Sequence, residues 1–289
     1  MALTNTMLRC FAAVAESGNL ADAGVQLGRT SSAISMTLKQ MEDHIGARLF
    51  ETDRKNRLTP LGEEIFALAQ QQVRQHDEAI ETIETIARAP KGLLRIAAIP
   101  SAVHQGLPQA VEIMMTRRPS LQIEIRDADT DIVKNALLRG QVEMGIVSGH
   151  SDLNGFRRVP LFEDAFGLVA APDHRLMQQA AAPKISDLAT KEFVRNDLCA
   201  QIRTPAFQEI LDTTRIAARN TLSLISMVRT GGWITVLPSS VIGILPEHLA
   251  FREIIGVDQN RVVSLLSREQ CLFPDLVQEF TEILGRQTR

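Results

Sequence analysis

Residues 19–62, NLADAGVQLGRTSSAISMTLKQMEDHIGARLFETDRKNRLTPLG, hold a helix start, a tight turn, a second helix with one apolar stripe and a basic tip. Asn19 sits where it can cap a helix, with Asp22 three residues on in the reciprocal position. The helix it opens spans residues 20–27. Ala23 and Gly24 are small enough for another helix backbone to come close, and Gly28 permits the turn. Thr30 or Ser31 then caps a further helix that runs to residue 44 and is closed by Gly46. Upstream, Leu8, Phe11, Ala12 and Ala15 recur at helical spacing, so residues 4–16 read as a first helix ended by Ser17-Gly18.

The helix after the turn carries the chemistry. Ile34, Leu38, Met41 and Ile45 follow one another at spacings of 4, 3 and 4 and make one buried stripe. At about 100° per residue, Ser32, Met36, Lys39 and Asp43 fall on the opposite face. A helix that reads base edges needs small polar side chains near its N-terminus and a cation further along for phosphate. Arg29, Thr30, Ser31, Ser32, Ser35 and Lys39 provide that set, and Met36 suits a thymine methyl. An ordinary amphipathic helix with a solvated face is the alternative. After Leu49-Phe50, the cations Arg54, Lys55 and Arg57 lie before a second apolar anchor, Leu58. This reads as a β-hairpin wing whose tip follows a phosphate strand, a solvated loop being the plainer choice.

Charge alone does not point to nucleic acid. The chain has a formal net charge of −3, and residues 1–60 hold seven Lys/Arg against six Asp/Glu, roughly +1. At 289 residues it exceeds one small core, and 45% hydrophobic with 22% charged residues is an ordinary globular balance. There is no run of about 18 apolar residues and no apolar core in residues 1–9, so we expect a cytoplasmic protein without a membrane span. Cys10, Cys199 and Cys271 lie far apart without CxxC spacing, which fits a reducing compartment and no structural metal.

Thr59 can cap a long helix with Pro60 in its first position. Ile65, Ala69, Val73, His76, Ile80, Ile83 and Ala87 form a narrow seam along it, which one helix cannot bury alone; a coiled-coil partner is expected. Pro90-Lys91-Gly92 marks a boundary. The domains are therefore 1–60, a linker helix 61–90, and 91–289.

Beyond that boundary short apolar runs alternate with amphipathic ones. Strands are expected at 93–99, 121–126 and 143–147 and helices at 106–117 and 131–139, a parallel sheet with crossover helices. A second round follows, with strands at 166–170, 193–194, 216–218 and 233–237 and helices at 205–211 and 222–230. A strand at 262–266 and a helix at 273–284 return to the first lobe. The lobes are thus 91–161 with 264–289, and 162–263. Ligands in open parallel sheets sit beyond the C-terminal strand ends. That selects Ser101, Ala102 and Val103 after the first strand, and Thr130 between Asp129 and Asp131; Asn196 and Asp197 can close from the second lobe. Simple helix capping is the alternative for Ser101 and Thr130. Trp233 reads as core packing or else as a bulky cleft or subunit contact. Cys199 has no adjacent cation to lower its pKa, which argues against redox sensing.

The chain resembles the LysR-type transcriptional regulators over nearly its full length. The matching motifs are Phe11-x-x-Val14, Ala23-Gly24-x-x-Leu27, Ser32-Ala33-Ile34-Ser35, Met41-Glu42-x-x-Ile45-Gly46-x-x-Leu49-Phe50 and Leu58-Thr59-Pro60-x-Gly62. Further on come Gly92-x-Leu94-Arg95-Ile96, Leu107-Pro108, Arg118-Pro119, Leu138-x-Gly140-x-x-Glu143 and Gly231-Gly232-x-Ile234-x-x-Leu237-Pro238. Gly24 stands where the family usually has Ala, Ser31 where Gln is common, Thr52 where Arg is frequent, and Trp233 where Gly is frequent. The resemblance implies an α/β fold class with an N-terminal winged helix-turn-helix, a linker helix that dimerises antiparallel, and a two-lobed periplasmic-binding-protein-like domain whose hinge strands lie near 160–163 and 261–263. It makes Ser101 and Thr130 first-lobe contacts of a small-molecule effector. Its implied partners are a double-stranded DNA operator, the effector, RNA polymerase, and further copies of the chain in a homodimer or homotetramer.

Two other classes compete. A transport or binding module leaves residues 31–39 and 54–57 without a role. An enzyme finds no Gly-rich phosphate loop, no metal-spaced His/Cys/Asp set and no nucleophile–base pair in this sequence. We expect no catalytic residues, no metal and no cofactor.

Overall fold

The computed structural model describes residues 2–51, 55–88, 92–149 and 153–288, without the side chains of 81, 82 and 85–88. It divides into two compact units, Met1–Arg88 and Ala89–Arg289.

The first unit is helical: α1 (Asn5–Ser17), α2 (Leu20–Leu27), α3 (Ser31–Ile45) and α4 (Pro60–Arg88). Its caps follow from side chains. Thr4 accepts from the Met7 N–H, Asn19 from that of Asp22 and Thr30 from that of Ala33, satisfying donors that a helix start leaves open. Gly18, Gly28 and Gly46 close α1, α2 and α3 in the left-handed region. Phe11, Val14, Ala23, Ile34, Leu38, Met41, Leu49 and Phe50 form the core. Phe11 meets Phe50 and Phe66 edge-on at 5.6 and 6.4 Å.

Of the expected hairpin wing the described residues show one antiparallel bridge, Phe50 with Leu58, and the Glu51 N–H donates to the Arg57 carbonyl. Thr52, Asp53 and Arg54 lie outside the described residues. Gly62 allows α4 to start against this bridge: a Cβ there would lie 2.2 Å from the Leu49 carbonyl oxygen. The seam on α4 is not all left for a partner. Ala69 is buried, with Ile65 and Phe66 packed beside it, in the same core as α1. Arg9 of α1 pairs with Asp77, and Gln70 donates to Glu16 at 2.7 Å. Ile80 and Ile83 stay exposed, and the side chain of Ala87 lies outside the described residues.

The second unit runs β1 (Leu93–Ala98), α5 (Pro100–His104), α6 (Leu107–Arg117), β2 (Gln122–Asp127), α7 (Thr130–Leu138), β3 (Met144–Ser148), β4 (Phe156–Ala170), α8 (Arg175–Gln178), β5 (Val194–Arg195), α9 (Pro205–Thr213), β6 (Ile216–Ala217), α10 (Thr221–Val228), β7 (Thr235–Pro238), β8 (Ala250–Glu253), β9 (Asn260–Arg268) and α11 (Pro274–Gln287). The first lobe has β1 parallel to both β2 and β3, as alternating strands and helices require.

The sheet is not wholly parallel. β9 runs antiparallel to β3 and β4, and β7 and β8 antiparallel to β4. β4 is also longer than the expected 166–170, because it starts in the first lobe and ends in the second. β4 and β9 pair from Phe156↔Arg268 to Ala165↔Asn260, with a register shift between Pro160 and Phe162. These are the crossing strands. On either side lie separate cores, one around Leu94, Ile96, Leu107 and Phe280, the other around Phe166, Phe193, Phe207 and Val236. Among the described residues no helix is long and apolar enough to cross a membrane.

Candidate DNA-reading face and interlobe cavity

On α3 the stripe Ile34, Leu38 and Met41 is buried and Ile45 half-buried, which turns the other face to solvent. Arg29, Thr30, Ser31, Ser32 and Lys39 are exposed, Ser35 is half-buried, and Met36 is 61% exposed. The Thr30 and Ser32 hydroxyls lie 3.1 Å apart, so the capping side chain also orients the serine beside it. Val25, on α2, is 86% exposed; sequence periodicity does not single it out, yet it is an apolar side chain in water.

The wing corrects one expectation. Lys55 does not project to solvent: its Nζ donates to Glu42 Oε1 and Oε2 at 3.2 and 3.0 Å and lies 5.1 Å from the Phe50 ring centroid. Its side chain is 13% exposed. Glu42 Oε1 also accepts from the Leu49 N–H at 2.8 Å, so Glu42 ties α3 to the start of the wing and to Lys55 in its tip. The reason is local: a carboxylate on the second half of α3 needs partners, and the nearest cation bends back to it. Arg57 keeps most of its side chain in water beside Glu51. Arg54 lies outside the described residues.

In the second unit a cavity of about 800 Å³ opens between the lobes, within the range typical of small-molecule sites. Ser101, Thr130, Asn196 and Asp197 line it. Ala102 and Val103 do not: both belong to α5, a short helix started by Pro100, and pack on the first-lobe core. Thr130 Oγ1 accepts from the Ser148 N–H at 3.1 Å. Across the gap, Ser148 Oγ and the Gln201 side chain meet at 3.0 Å, a direct bond between lobes. Asn196 is committed to its own lobe, donating to the Val236 carbonyl at 2.9 Å and accepting from the Leu198 N–H at 3.0 Å. Asp197 is exposed and lies 3.6 Å from Arg219.

Sequence reading missed the residue at the centre. Arg261 of β9 lines the cavity yet is only 2% exposed. Its Nε and Nη2 donate to the two oxygens of Asp164 on β4 at 2.8 and 2.5 Å. Nη2 also donates to Ser240 Oγ at 2.9 Å, and Nη1 to Ser101 Oγ at 3.0 Å. One guanidinium on β9 thus bonds to both lobes and to the other crossing strand, β4. Both strands carry other charges, Arg157, Arg158 and Glu163 on β4 and Arg268 on β9, so no local signal singled out Arg261 and Asp164. Trp233 is half-buried against the cluster of Leu224, Val228 and Leu237.

The thiols bear on redox chemistry. Cys199 is buried, and that burial pushes its pKa up to about 12. Its Sγ lies 3.9 Å from the Val236 carbonyl. Burial raises Cys10 and Cys271 as well. A thiol whose folded pKa is raised favours the neutral form in the fold, so this contribution is complete below about pH 9, the ordinary thiol value, and is lost as pH climbs toward 12. At neutral pH, iodoacetamide is expected to spare Cys199 in the folded protein and to modify it once urea unfolds the chain. Peptide mapping that finds Cys199 alkylated as fast in the folded state would refute this account. Among the described residues no cluster of three or more His, Cys, Asp or Glu could hold a metal ion.

Comparison with known proteins adds to this geometry. The family described as "Bacterial regulatory helix-turn-helix protein, lysR family" matches residues 6–63, and the "LysR substrate binding domain" matches residues 87–289. A "Probable hydrogen peroxide-inducible genes activator" of Streptomyces viridosporus is 26% identical, over 81% of this chain and 77% of that protein. The "HTH-type transcriptional regulator MetR" of Escherichia coli is 29% identical over 81% and 74%. In structure, full-length CbnR complexed with its target DNA is similar with a TM-score of 0.66 at 20% identity, covering 99% of this chain and 100% of that one.

Proposed function

The chain belongs to the LysR family of bacterial helix-turn-helix regulators, and from that premise we propose how it works. It is a transcriptional regulator with a DNA-binding helix-turn-helix and an effector-binding domain. In our reading α3 enters the major groove. Ser31, Ser32, Ser35 and Met36 read base edges, while Arg29, Thr30, Lys39 and Arg57 hold phosphates; Arg54 is assigned by sequence alone. Lys55 is left to brace the wing.

The effector occupies the cavity between the lobes, contacting Ser101 and Thr130 from one side and the 196–201 segment from the other. The observation that carries this is the Ser148–Gln201 bond across a cavity of ligand size. A molecule bound there touches both lobes, so it favours one lobe arrangement over another. That differential affinity is what a regulatory shift requires. The exposed Ile80 and Ile83 of α4 suit contact with a second copy, giving paired reading heads. RNA polymerase at the promoter, a cytoplasmic location and the absence of catalysis belong to the same reading. A peroxide switch at Cys199 does not, because a buried thiol with its pKa raised to about 12 is a poor thiolate source.

Filling the cavity tests the assignment. Thr130→Trp is expected to abolish the change in DNA affinity or footprint that an effector produces, with effector-free duplex binding retained. A normal effector titration in this variant would dismiss the cavity as the effector site.

A further inference from the structure

Asp129 is unusual for the place it holds. It occupies the N-cap of α7, yet its carboxylate accepts no hydrogen bond from that helix. Asp is a favoured cap because its oxygen can satisfy the open N–H groups, so a bare one calls for a reason. Among the described residues no hydrogen bond or ion pair holds it elsewhere; it faces the interlobe cavity. Asp129 is exposed at the cavity rim, and partial desolvation there raises its pKa first, with Asp197 of the opposite lobe and Asp131 adding to the rise against Arg219. Arg219 is itself shared with Asp197.

This arrangement suits a carboxylate ligand badly. The start of α7 would attract an anion through its free N–H groups, but Asp129 and Asp131 put two negative charges in that turn. Arg261 does not restore the balance, because the bidentate bond to Asp164 cancels its charge. Lys134 and Arg203 leave room for a second, anionic group. The opposite lobe adds an apolar patch, Leu224, Val241 and Ile244, beside its polar residues Asp197, Gln201 and Arg219.

We propose that the effector carries a protonated amine on an apolar body, the ammonium held by Asp129 with Asp197 approaching from the other lobe. The inference rests on reading the cavity as the effector site. It also supplies a driving force for closure: the facing carboxylates repel across an empty cleft, and a cation between them turns repulsion into attraction.

The test uses the full-length protein, thermal shift and Trp233 emission, with two probes that share an aryl-ethyl body: phenethylamine and hydrocinnamate. Phenethylamine is expected to half-saturate at a concentration about 10- to 100-fold below hydrocinnamate, the span of one charge-assisted hydrogen bond. Asp129→Asn is expected to erase that preference and Asp129→Glu to keep it. Without probe, Asp129→Asn is expected to raise the melting temperature by about 1–3 °C through relief of repulsion. Hydrocinnamate binding as tightly as the amine, no response to either probe, a preference that survives Asp129→Asn, or a fall of melting temperature in that variant each overturns the proposal. Two cavity-filling variants on opposite walls, Thr130→Trp and Ala200→Trp, separate the two layers. A probe response that persists in both removes the cavity as the site. A hydrocinnamate preference that both abolish keeps the cavity and overturns only the amine.

Discussion

Arg261→Met is expected to destabilise the Ala89–Arg289 unit by about 3–5 kcal/mol, the usual loss when one partner of a buried ion pair is removed. Both partners are out of water here: Arg261 is 2% and Asp164 7% exposed. The pair itself need contribute little, since desolvating two charges costs nearly what their attraction returns. The damage comes from what remains. Asp164 would be left charged and buried without a counter-charge, and Ser101 and Ser240 would each lose a donor. For a unit of this size the melting temperature should fall by roughly 6–20 °C. The double variant Arg261→Met, Asp164→Leu should regain most of that loss, because no uncompensated charge is left. Scanning calorimetry of the full chain decides it: a loss under about 1 kcal/mol in the single variant would mean that Asp164 finds water or another donor. Because β4 and β9 are the strands that cross between lobes, the single variant should also broaden the transition if the lobes then melt separately.

How much of this could be read from residues alone depends on range. The helix-turn-helix was legible because its signals are local: Asn19, Thr30, Gly28 and Gly46 act within four residues of their own position, and the stripe Ile34, Leu38, Met41 repeats inside one helix. The first lobe was legible for a similar reason, since alternating strands and helices leave one right-handed parallel arrangement. What escaped was set by distant pairings. Arg261 and Asp164 are 97 residues apart, and nothing near either announces the other. Lys55 and Glu42 are 13 apart, and a cation in a basic tip looks the same whether it faces phosphate or folds back. The antiparallel return of β9 is fixed by the crossing strands rather than by its own apolar pattern. α5 was missed because five residues behind Pro100 are too few to display a period, which is why Ala102 and Val103 were assigned to the cavity.

The contrast between two lysines gives the sharpest test of the DNA-reading face. Lys39→Ala and Lys55→Met remove the same charge from the same small unit. If Lys39 neutralises a phosphate, its loss should lower the slope of log affinity against log salt by about 0.9 for each reading head. Binding should also weaken across all sequences alike, since phosphate contacts carry no base information. Lys55→Met should behave differently. Its ammonium is already spent on Glu42 and the face of Phe50, and the counterions that DNA releases do not depend on it. The expected result is an unchanged salt slope with the helical unit destabilised by about 1–3 kcal/mol, because a largely buried Glu42 loses its cation. Affinity should then fall by a similar factor at every salt concentration, because the wing loses the Lys55–Glu42 pair that braces it against α3. Fluorescence anisotropy with one duplex over a range of potassium concentrations measures both slopes. Equal reductions in the two variants would mean that Lys55 leaves Glu42 for phosphate on binding, and that the bent-back lysine is the resting position of a contact residue. A slope untouched by Lys39→Ala would instead remove the exposed face of α3 from the phosphate backbone altogether.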